Sequence, residues 1–200
     1  MSCRTARCSG SGGFSAIELL IVLAIAGCVA AISIPASTGM VDEFRINADA
    51  HGVSNSLALA RMNAAANFTR ARLFVDRVNN NYRIERFNKT ASSWQAVSGT
   101  SPLGRSNTFS NGVIVVPPPN SQLAVAQPTP CLTDAGVAMT GTSCVLFNSR
   151  GVPIGTTGAP TPTAVIYLSG PTAVYGVVIS STSQLALWRV SPGGGAWVQK

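Results

Sequence analysis

Residues that could carry out chemistry are few in this chain. It has one histidine, His51, and 7 acidic side chains among 200 residues. The sequence contains no phosphate-binding glycine loop, no zinc-binding histidine pair and no serine-nucleophile motif. General acid–base catalysis needs paired titratable groups, and no two carboxylates stand at a spacing that predicts such a pair. The sequence therefore predicts a protein that is not an enzyme and that holds no cofactor and no metal.

Glu18 is the acidic residue with the most unusual surroundings. No charged residue occurs from Leu19 to Ile34, and the apolar segment approaches the about 20 residues that a membrane-spanning helix needs. A carboxylate near the centre of a bilayer costs about 2.5–3.5 kcal/mol, and less near the start of the segment. An acid among apolar helices needs a cationic partner. Glu18 is therefore a candidate functional residue.

The stretch Gly-Phe-Ser-Ala-Ile-Glu, residues 13–18, together with the apolar run that follows, resembles the signal of type IV prepilins and type II secretion pseudopilins. The resemblance implies that a prepilin peptidase cuts after Gly13 and that Phe14 becomes an N-methylated amino terminus. It also implies that Glu18 pairs with the amino group of Phe14, on its own or a neighbouring subunit, during assembly. Pro35 stands where the family often has a proline, and it predicts a helix kink.

The resemblance implies that residues 1–13 are a basic leader that is removed by cleavage and that residues 14–36 form the assembly helix. The apolar run predicts that the same helix is transmembrane. Residues 37–68 read as an amphipathic continuation of that helix, and residues 69–200 as a β-rich globular domain. The predicted buried positions of the continuation recur every three to four residues: Val41, Phe44, Ala48, Leu57, Ala60 and Ala64.

From residue 69 the apolar period becomes two, which is typical of strands. The predicted fold class is α+β, with a long N-terminal helix packed on an antiparallel β-sheet domain, as in pilins. Residues 117–143 are rich in proline, threonine and serine and predict a long loop. The predicted strands are a hairpin of 69–76 and 81–87, then 94–97, 108–109, 112–116, 145–153, 164–168, 175–179, 185–190 and 196–200.

Two shorter segments resemble the GspH/FimT group of minor pilins. That group often has an Arg-x-Glu-Ala run at the end of its long helix, and this chain has Arg61 and Ala64 but Asn63 in place of the glutamate. A Phe-x-x-x-Gly segment late in those domains corresponds to residues 147–151. The resemblance implies a minor pilin that joins other pilin or pseudopilin subunits in a hetero-oligomeric filament tip.

Cys131 and Cys144 are the two cysteines of the predicted globular domain. An isolated pair in an exported domain predicts a disulfide, and two buried free thiols are the alternative.

Arginines between residues 70 and 86 suggest another possible role. Arg70 and Arg72 lie on one face of a predicted strand, where they could contact DNA phosphates. Some FimT-like pilins take part in DNA uptake through an arginine-containing C-terminal segment, whereas this chain ends in the single cation Lys200. DNA binding is therefore the minor alternative, and a solvated basic face is the simpler interpretation.

The function predicted from these features is a structural subunit of a type IV pilus or a type II secretion pseudopilus. The predicted location is the bacterial inner membrane, crossed once, with the C-terminal domain in the periplasm because the basic leader stays in the cytoplasm. A conventional secretory signal is the remaining alternative. It would be cut near Ala31, and the mature periplasmic protein would then begin within residues 33–38.

Overall fold

A computed structural model describes residues 15–200, without the side chains of residues 32–38. The predicted leader, the cleavage site between Gly13 and Phe14 and the methylated Phe14 lie outside the described residues. Within the described part, one long helix precedes ten strands, which confirms the predicted α+β class. The elements are α1 Ala16–Ala66, β1 Ala71–Asp76, β2 Asn81–Asn88, β3 Ser93–Ala96, β4 Ser101–Pro102, β5 Thr142–Phe147, β6 Pro153–Ile154, β7 Ala164–Ser169, β8 Val174–Ile179, β9 Leu185–Val190 and β10 Val198–Gln199.

Helix α1 is 51 residues long, and its helical hydrogen bonding continues on both sides of Pro35. The kink predicted at Pro35 stays a prediction. The chain divides into two compact units after Met40, so the first part of α1 belongs to one unit and the rest to the other. Within residues 15–200, no helix combines the length and the apolar character needed to cross a membrane.

The second part of α1 buries one face at a spacing of three and four residues, which places the buried side chains in a stripe along the helix. This stripe consists of Ile46, Ala50, Val53, Leu57, Ala60 and Ala64. The predicted stripe is right in its last three members and wrong for Val41, Phe44 and Ala48, which are exposed. Those three residues lie on a different face of the helix from the continuous stripe that begins at Ile46.

Gly52 lies beside this stripe, where the helix passes close to Tyr82 on β2. A Cβ atom at Gly52 would lie 2.7 Å from the hydroxyl oxygen of Tyr82 on β2. Glycine in a helix costs about 1 kcal/mol relative to alanine. Here it lets the helix lie directly against the tyrosine side chain, and the helix continues through it.

The first sheet has the strand order β3-β2-β1-β5-β6, with β4 on the outer side of β2. All of its pairings are antiparallel, and Leu73 on β1 lies opposite Ile84 on β2. The predicted hairpin of residues 69–76 and 81–87 is thus confirmed. Its turn is closed by the Asp76 carboxylate, which accepts hydrogen bonds from the backbone N–H groups of Val78 and Asn79, both at 3.0 Å.

The second sheet has the order β10-β9-β8-β7 and is also antiparallel. Its strands confirm the four strands predicted after residue 163. One hydrophobic core contains the helix stripe and inward side chains of both sheets, among them Leu73, Phe147, Leu168 and Tyr175. The helix and the two sheets therefore share a single core.

The predicted strand at residues 112–116 is wrong. Gly112 and Val113 form a turn that the Ile114 N–H closes by donating to the Asn111 carbonyl at 3.1 Å. The φ of Gly112 is +57°, which is unfavourable for other residue types. Only Ile114 is buried, against Val174 and Val190, while Val113 and Val115 are exposed. The alternation of apolar residues that suggested a strand at 112–116 therefore arises from the burial of Ile114 alone. These five residues pair with no strand. Nearby, Thr108 forms a single bridge with Ser169 on β7.

The long loop predicted at residues 117–143 is present but ends at residue 141, because β5 begins at Thr142, and part of it protects a sheet edge. The Gln127 side chain donates to the carbonyl of Tyr167 at 2.8 Å and accepts from the N–H of Tyr167 at 3.2 Å. It thereby satisfies the backbone of edge strand β7, where an open edge would invite pairing with another chain.

Candidate functional site

Glu18 lies in the first turn of α1, and its side chain is exposed. A carboxylate is favourable at a helix N-terminus, because the unpaired backbone N–H groups there carry partial positive charge. Its predicted partner, the amino group of Phe14, lies outside the described residues. The predicted pairing therefore stays a prediction.

Apolar side chains follow Glu18 on every side of the helix. All large apolar residues described in this segment are more than half exposed: Ile17, Leu19, Leu20, Ile21, Val22, Leu23, Ile25 and Val29. Monomeric soluble proteins rarely expose apolar surface of this extent, and such surface marks a contact with a protein partner or with lipid.

The predicted disulfide between Cys131 and Cys144 is present, with the two Cα atoms 4.9 Å apart. Cys144 lies on β5, and Cys131 lies in the long loop. The bridge therefore fixes the end of this loop against the outer face of the first sheet, the face opposite the helix.

Arg72 is buried on that outer face and forms an ion pair. Only 5% of Arg72 and 5% of its partner Glu85 is exposed. Arg72 Nε donates to Glu85 Oε2 at 2.6 Å, and Arg72 Nη1 donates to the Leu132 carbonyl at 2.7 Å. Arg83 contacts the other Glu85 oxygen at 2.7 Å. Burial lowers the pKa of the Arg72 guanidinium, and the Glu85 charge opposes this shift.

The DNA contact predicted at Arg70 and Arg72 stays a prediction. Arg72 lines the cavity beside the disulfide, but it is buried and it donates to Glu85 and to the loop. Arg70 is exposed, as the alternative requires, and its guanidinium lies 4.4 Å from the centroid of the Phe87 ring. Arg70 is therefore the more accessible cation of the predicted pair.

A concave surface runs from the disulfide loop around the end of the first sheet. It consists of three cavities of about 260, 270 and 250 Å³, and Phe87 lines all of them. Asp134 and Arg72, which pairs with Glu85, also line the first cavity. We call this surface the basic groove, after the three further cations that line it, Arg70, Arg86 and Lys89. None of the three forms an ion pair with any acid among residues 15–200.

Arg61, near the end of α1, connects the helix to both sheets. Its Nη1 donates to the Ser183 carbonyl at 3.1 Å, and the Ser183 hydroxyl donates to the Gly151 carbonyl at 2.6 Å. A Cβ atom at Gly151 would lie 2.9 Å from Arg61 Cγ, and the φ of Gly151 is +72°. Gly151 ends the Phe-x-x-x-Gly segment, so the glycine of that segment has a packing role here.

His51 is exposed on α1. No group of three histidine, cysteine, aspartate or glutamate side chains within residues 15–200 is arranged to hold a metal ion.

Two ion pairs of the folded domain could not be predicted from the sequence. Glu85 lies between Arg83 and Arg86 in the sequence, and these neighbours did not indicate which arginine it would pair with or that it would be buried. Glu43 on α1 accepts from Arg189 Nε on β9 at 2.8 Å, across 146 positions of sequence. A polar residue at an alternating strand position was the only available signal for Glu85, and the sequence held none for the second pair.

Comparisons with known proteins give one structural likeness. No protein family matches the chain, and no curated protein sequence matches it. Among solved structures, the chain is similar to the minor pseudopilin EpsH from the Type 2 Secretion System of Vibrio cholerae. The TM-score is 0.46 at 13% sequence identity, over 74% of this chain and 98% of that chain. A likeness at this level does not assign a function to this chain.

Proposed function

We propose that this chain is a non-enzymatic structural subunit, a minor pilin or pseudopilin, that assembles into a filament through its N-terminal helix. The observation that carries the proposal is the segment of residues 13–29. A Gly-Phe pair precedes Glu18, and a long run of exposed apolar side chains follows it on a continuous helix. The rest of α1 is anchored in the core of a folded domain. A helix of this kind can join neighbouring subunits while the domain is displayed.

In this proposal the partners are a prepilin peptidase, which cuts after Gly13, and other pilin or pseudopilin subunits. Before assembly, residues 14–36 hold the subunit in the bacterial inner membrane with the domain in the periplasm. Glu18 is poorly solvated among lipids, and the amino group of Phe14 on a neighbouring subunit relieves this cost. The ion pair thus favours entry into the filament in the correct register.

The processing step is tested by the mass of the mature N-terminus. We expect purified protein to begin at Phe14 with one added methyl group, and Gly13→Leu to abolish processing. Gly27→Leu is the matched control, because nothing lies within 4 Å of a Cβ atom at Gly27. A mature start within residues 33–38 would instead support the secretory-signal alternative and refute the assigned cleavage site.

The assembly step is tested with Glu18→Ala and Glu18→Val. We expect both variants to be processed and to enter the membrane fraction, but to reduce the number of pili or pseudopili. Asp42→Ala is the control, since Asp42 is an acid on the same helix that pairs with the exposed Arg45 at 3.2 Å. Wild-type filament numbers in the Glu18 variants would contradict the proposed role of the carboxylate.

The kind of filament is decided by deleting the gene that encodes this chain. Loss of surface pili with normal secretion assigns the subunit to a type IV pilus. Loss of protein secretion with normal piliation assigns it to a type II secretion pseudopilus. No change in either process would refute the structural role in both systems.

A further inference from the structure

The basic groove lies in the folded domain, and the proposed assembly through the N-terminal helix does not explain the positive charge of the groove. Five acids of the folded domain line none of the three cavities: Asp42, Glu43 and Glu85, which form ion pairs, Asp49, which accepts from Gly104 and Asn107, and Asp76, which closes its hairpin turn. Asp134 lines the first cavity, where its carboxylate accepts from the N–H of Trp94. Three cations, Arg70, Arg86 and Lys89, thus line the groove without an ion-pair partner among the described residues, against the single carboxylate of Asp134. The groove attracts anions.

The position of the three cations indicates an extended ligand. Arg70 lines the first and second cavities, Lys89 the second and third, and Arg86 the third. Arg86 is held by Asn67 Oδ1 at 2.7 Å, and Lys89 by the carbonyl of Phe68 at 2.7 Å. These hydrogen bonds fix the cations along the end of the sheet. A small anion would meet one or two of them, whereas a chain lying along the groove would meet all three.

The remaining lining of the groove suits a ligand rich in hydroxyl groups. Between the cations lie the neutral polar side chains of Asn67, Asn88, Asn148 and Ser149. The amide oxygens of the three asparagines already accept hydrogen bonds from Arg86 or from nearby backbone N–H groups. The amide N–H groups of Asn88 and Asn148 and the hydroxyl of Ser149 can donate to sugar hydroxyls. Separated cations between such groups match a polymer with one acidic group on each hydroxyl-bearing unit.

The aromatic rings of the groove argue against nucleic acid. Proteins that bind single strands use open aromatic faces on which bases stack. Here the Arg70 guanidinium lies 4.4 Å from the Phe87 centroid, and the Arg72 guanidinium lies 4.1 Å from the Trp94 centroid. Both rings already hold an arginine over a face, so they offer little open surface for a base.

We propose that the basic groove binds a linear acidic polysaccharide whose repeating sugar carries a carboxylate. Arg70, Arg86 and Lys89 pair with carboxylates of successive sugars, and the asparagine and serine side chains bind the hydroxyls between them. This function belongs to the folded domain and does not depend on filament assembly.

The test is binding of the purified full-length chain to immobilised polygalacturonate, with dextran as the neutral polymer. At about 50 mM salt we expect binding to polygalacturonate that weakens steeply as salt rises, and none to dextran. The double variant Arg70→Gln/Lys89→Gln should bind about tenfold more weakly. Arg77→Gln/Arg105→Gln removes the same charge from exposed residues that line none of the three cavities, and should change binding less than twofold.

Three results would overturn the proposal. The first is no binding of the wild-type chain to polygalacturonate. The second is an equal loss in both double variants, which would show that net charge alone matters. The third is tighter binding of single-stranded DNA that the Arg70→Gln/Lys89→Gln variant abolishes, which would assign the groove to nucleic acid. Unchanged thermal unfolding of the variants confirms that each result concerns binding. Normal filament numbers in the groove variants would separate this site from the assembly role.

Discussion

Two arginines on the outer face of the first sheet show what the alternation of side chains along a strand can predict and what it cannot. The pattern correctly placed Arg70, which directly precedes β1, on the same face as Arg72, which lies within it. It could not show that the disulfide loop covers Arg72, because a loop 60 positions away supplies the carbonyl that Arg72 contacts. The same arginine spacing therefore produces one exposed cation and one buried ion pair.

Glu85→Gln should be strongly destabilising. The substitution leaves the buried Arg72 charge without its counter-charge, and breaking a buried pair in this way costs about 3–5 kcal/mol. We expect this loss in the free energy of unfolding, measured by denaturant titration of the purified chain. Asp42→Asn removes a carboxylate from the exposed pair with Arg45 and should cost less than about 1 kcal/mol.

The double variant Arg72→Met/Glu85→Leu separates the contribution of charge compensation to stability from the contribution of the contacts around the two side chains. Replacing both charges with apolar side chains of similar size should restore most of the stability lost in Glu85→Gln. A double variant as unstable as Glu85→Gln would show that the loop contact of Arg72 matters more than charge compensation.

At the scale of elements, the contacts between α1 and the second sheet lie beyond what the sequence could predict. The strand positions after residue 163 follow from local alternation, and they were predicted well. The pairing of Glu43 with Arg189 depends on how β9 packs near the helix. Local patterns carry no information on that arrangement, and for the same reason Phe44 was predicted on the buried face although it is exposed.

The Glu43–Arg189 pair should make stability depend on pH. The hydrogen bond from Arg189 lowers the pKa of Glu43 below its ordinary value. A lowered folded-state pKa contributes stability above the unfolded-state pKa of about 4.3, and this contribution is lost as pH falls through the folded-state pKa. We expect the melting temperature of the wild type to fall more between pH 6 and pH 3 than that of Glu43→Gln. Parallel curves for the two proteins would contradict this role.

The loop that covers the outer face should depend on its disulfide. Replacing Cys131 and Cys144 with serine should lower the free energy of unfolding by about 2–4 kcal/mol, because the bridge restricts the unfolded chain. Cys28→Ser is the control, since Cys28 is a free and exposed cysteine. Reductant should destabilise the wild type and leave the double serine variant unchanged.

At the scale of the whole molecule, two kinds of surface are combined on one chain. Residues 41–200 bury their apolar side chains in a shared core, whereas the described residues 17–29 expose theirs. This division was predictable, because an uninterrupted apolar run and an alternating pattern differ plainly in the sequence. The contacts of single side chains, such as that of Arg61 with Gly151, could be identified only from the folded structure.

The exposed helix should control self-association of the purified chain. Burying a leucine side chain contributes about 1.5–3 kcal/mol. Leu20→Ser/Leu23→Ser should therefore weaken association in detergent-free buffer by more than about tenfold, measured by sedimentation velocity. Val113→Ser/Val115→Ser changes two exposed valines of the folded domain and should leave association unchanged. Equal effects of the two variants would show that general apolar exposure drives association.

The two sheets are connected to the helix and to each other at separate places, so we expect them to unfold together. Arg61, Ser183 and Gly151 connect the last turns of the helix to a turn of each sheet. Elsewhere, Asp49 binds the Gly104 N–H at 2.7 Å, and Thr108 bridges to Ser169. Neither sheet can separate from the helix without breaking contacts of the other. Heating should therefore produce a single calorimetric transition for residues 41–200, in which the van't Hoff and calorimetric enthalpies agree.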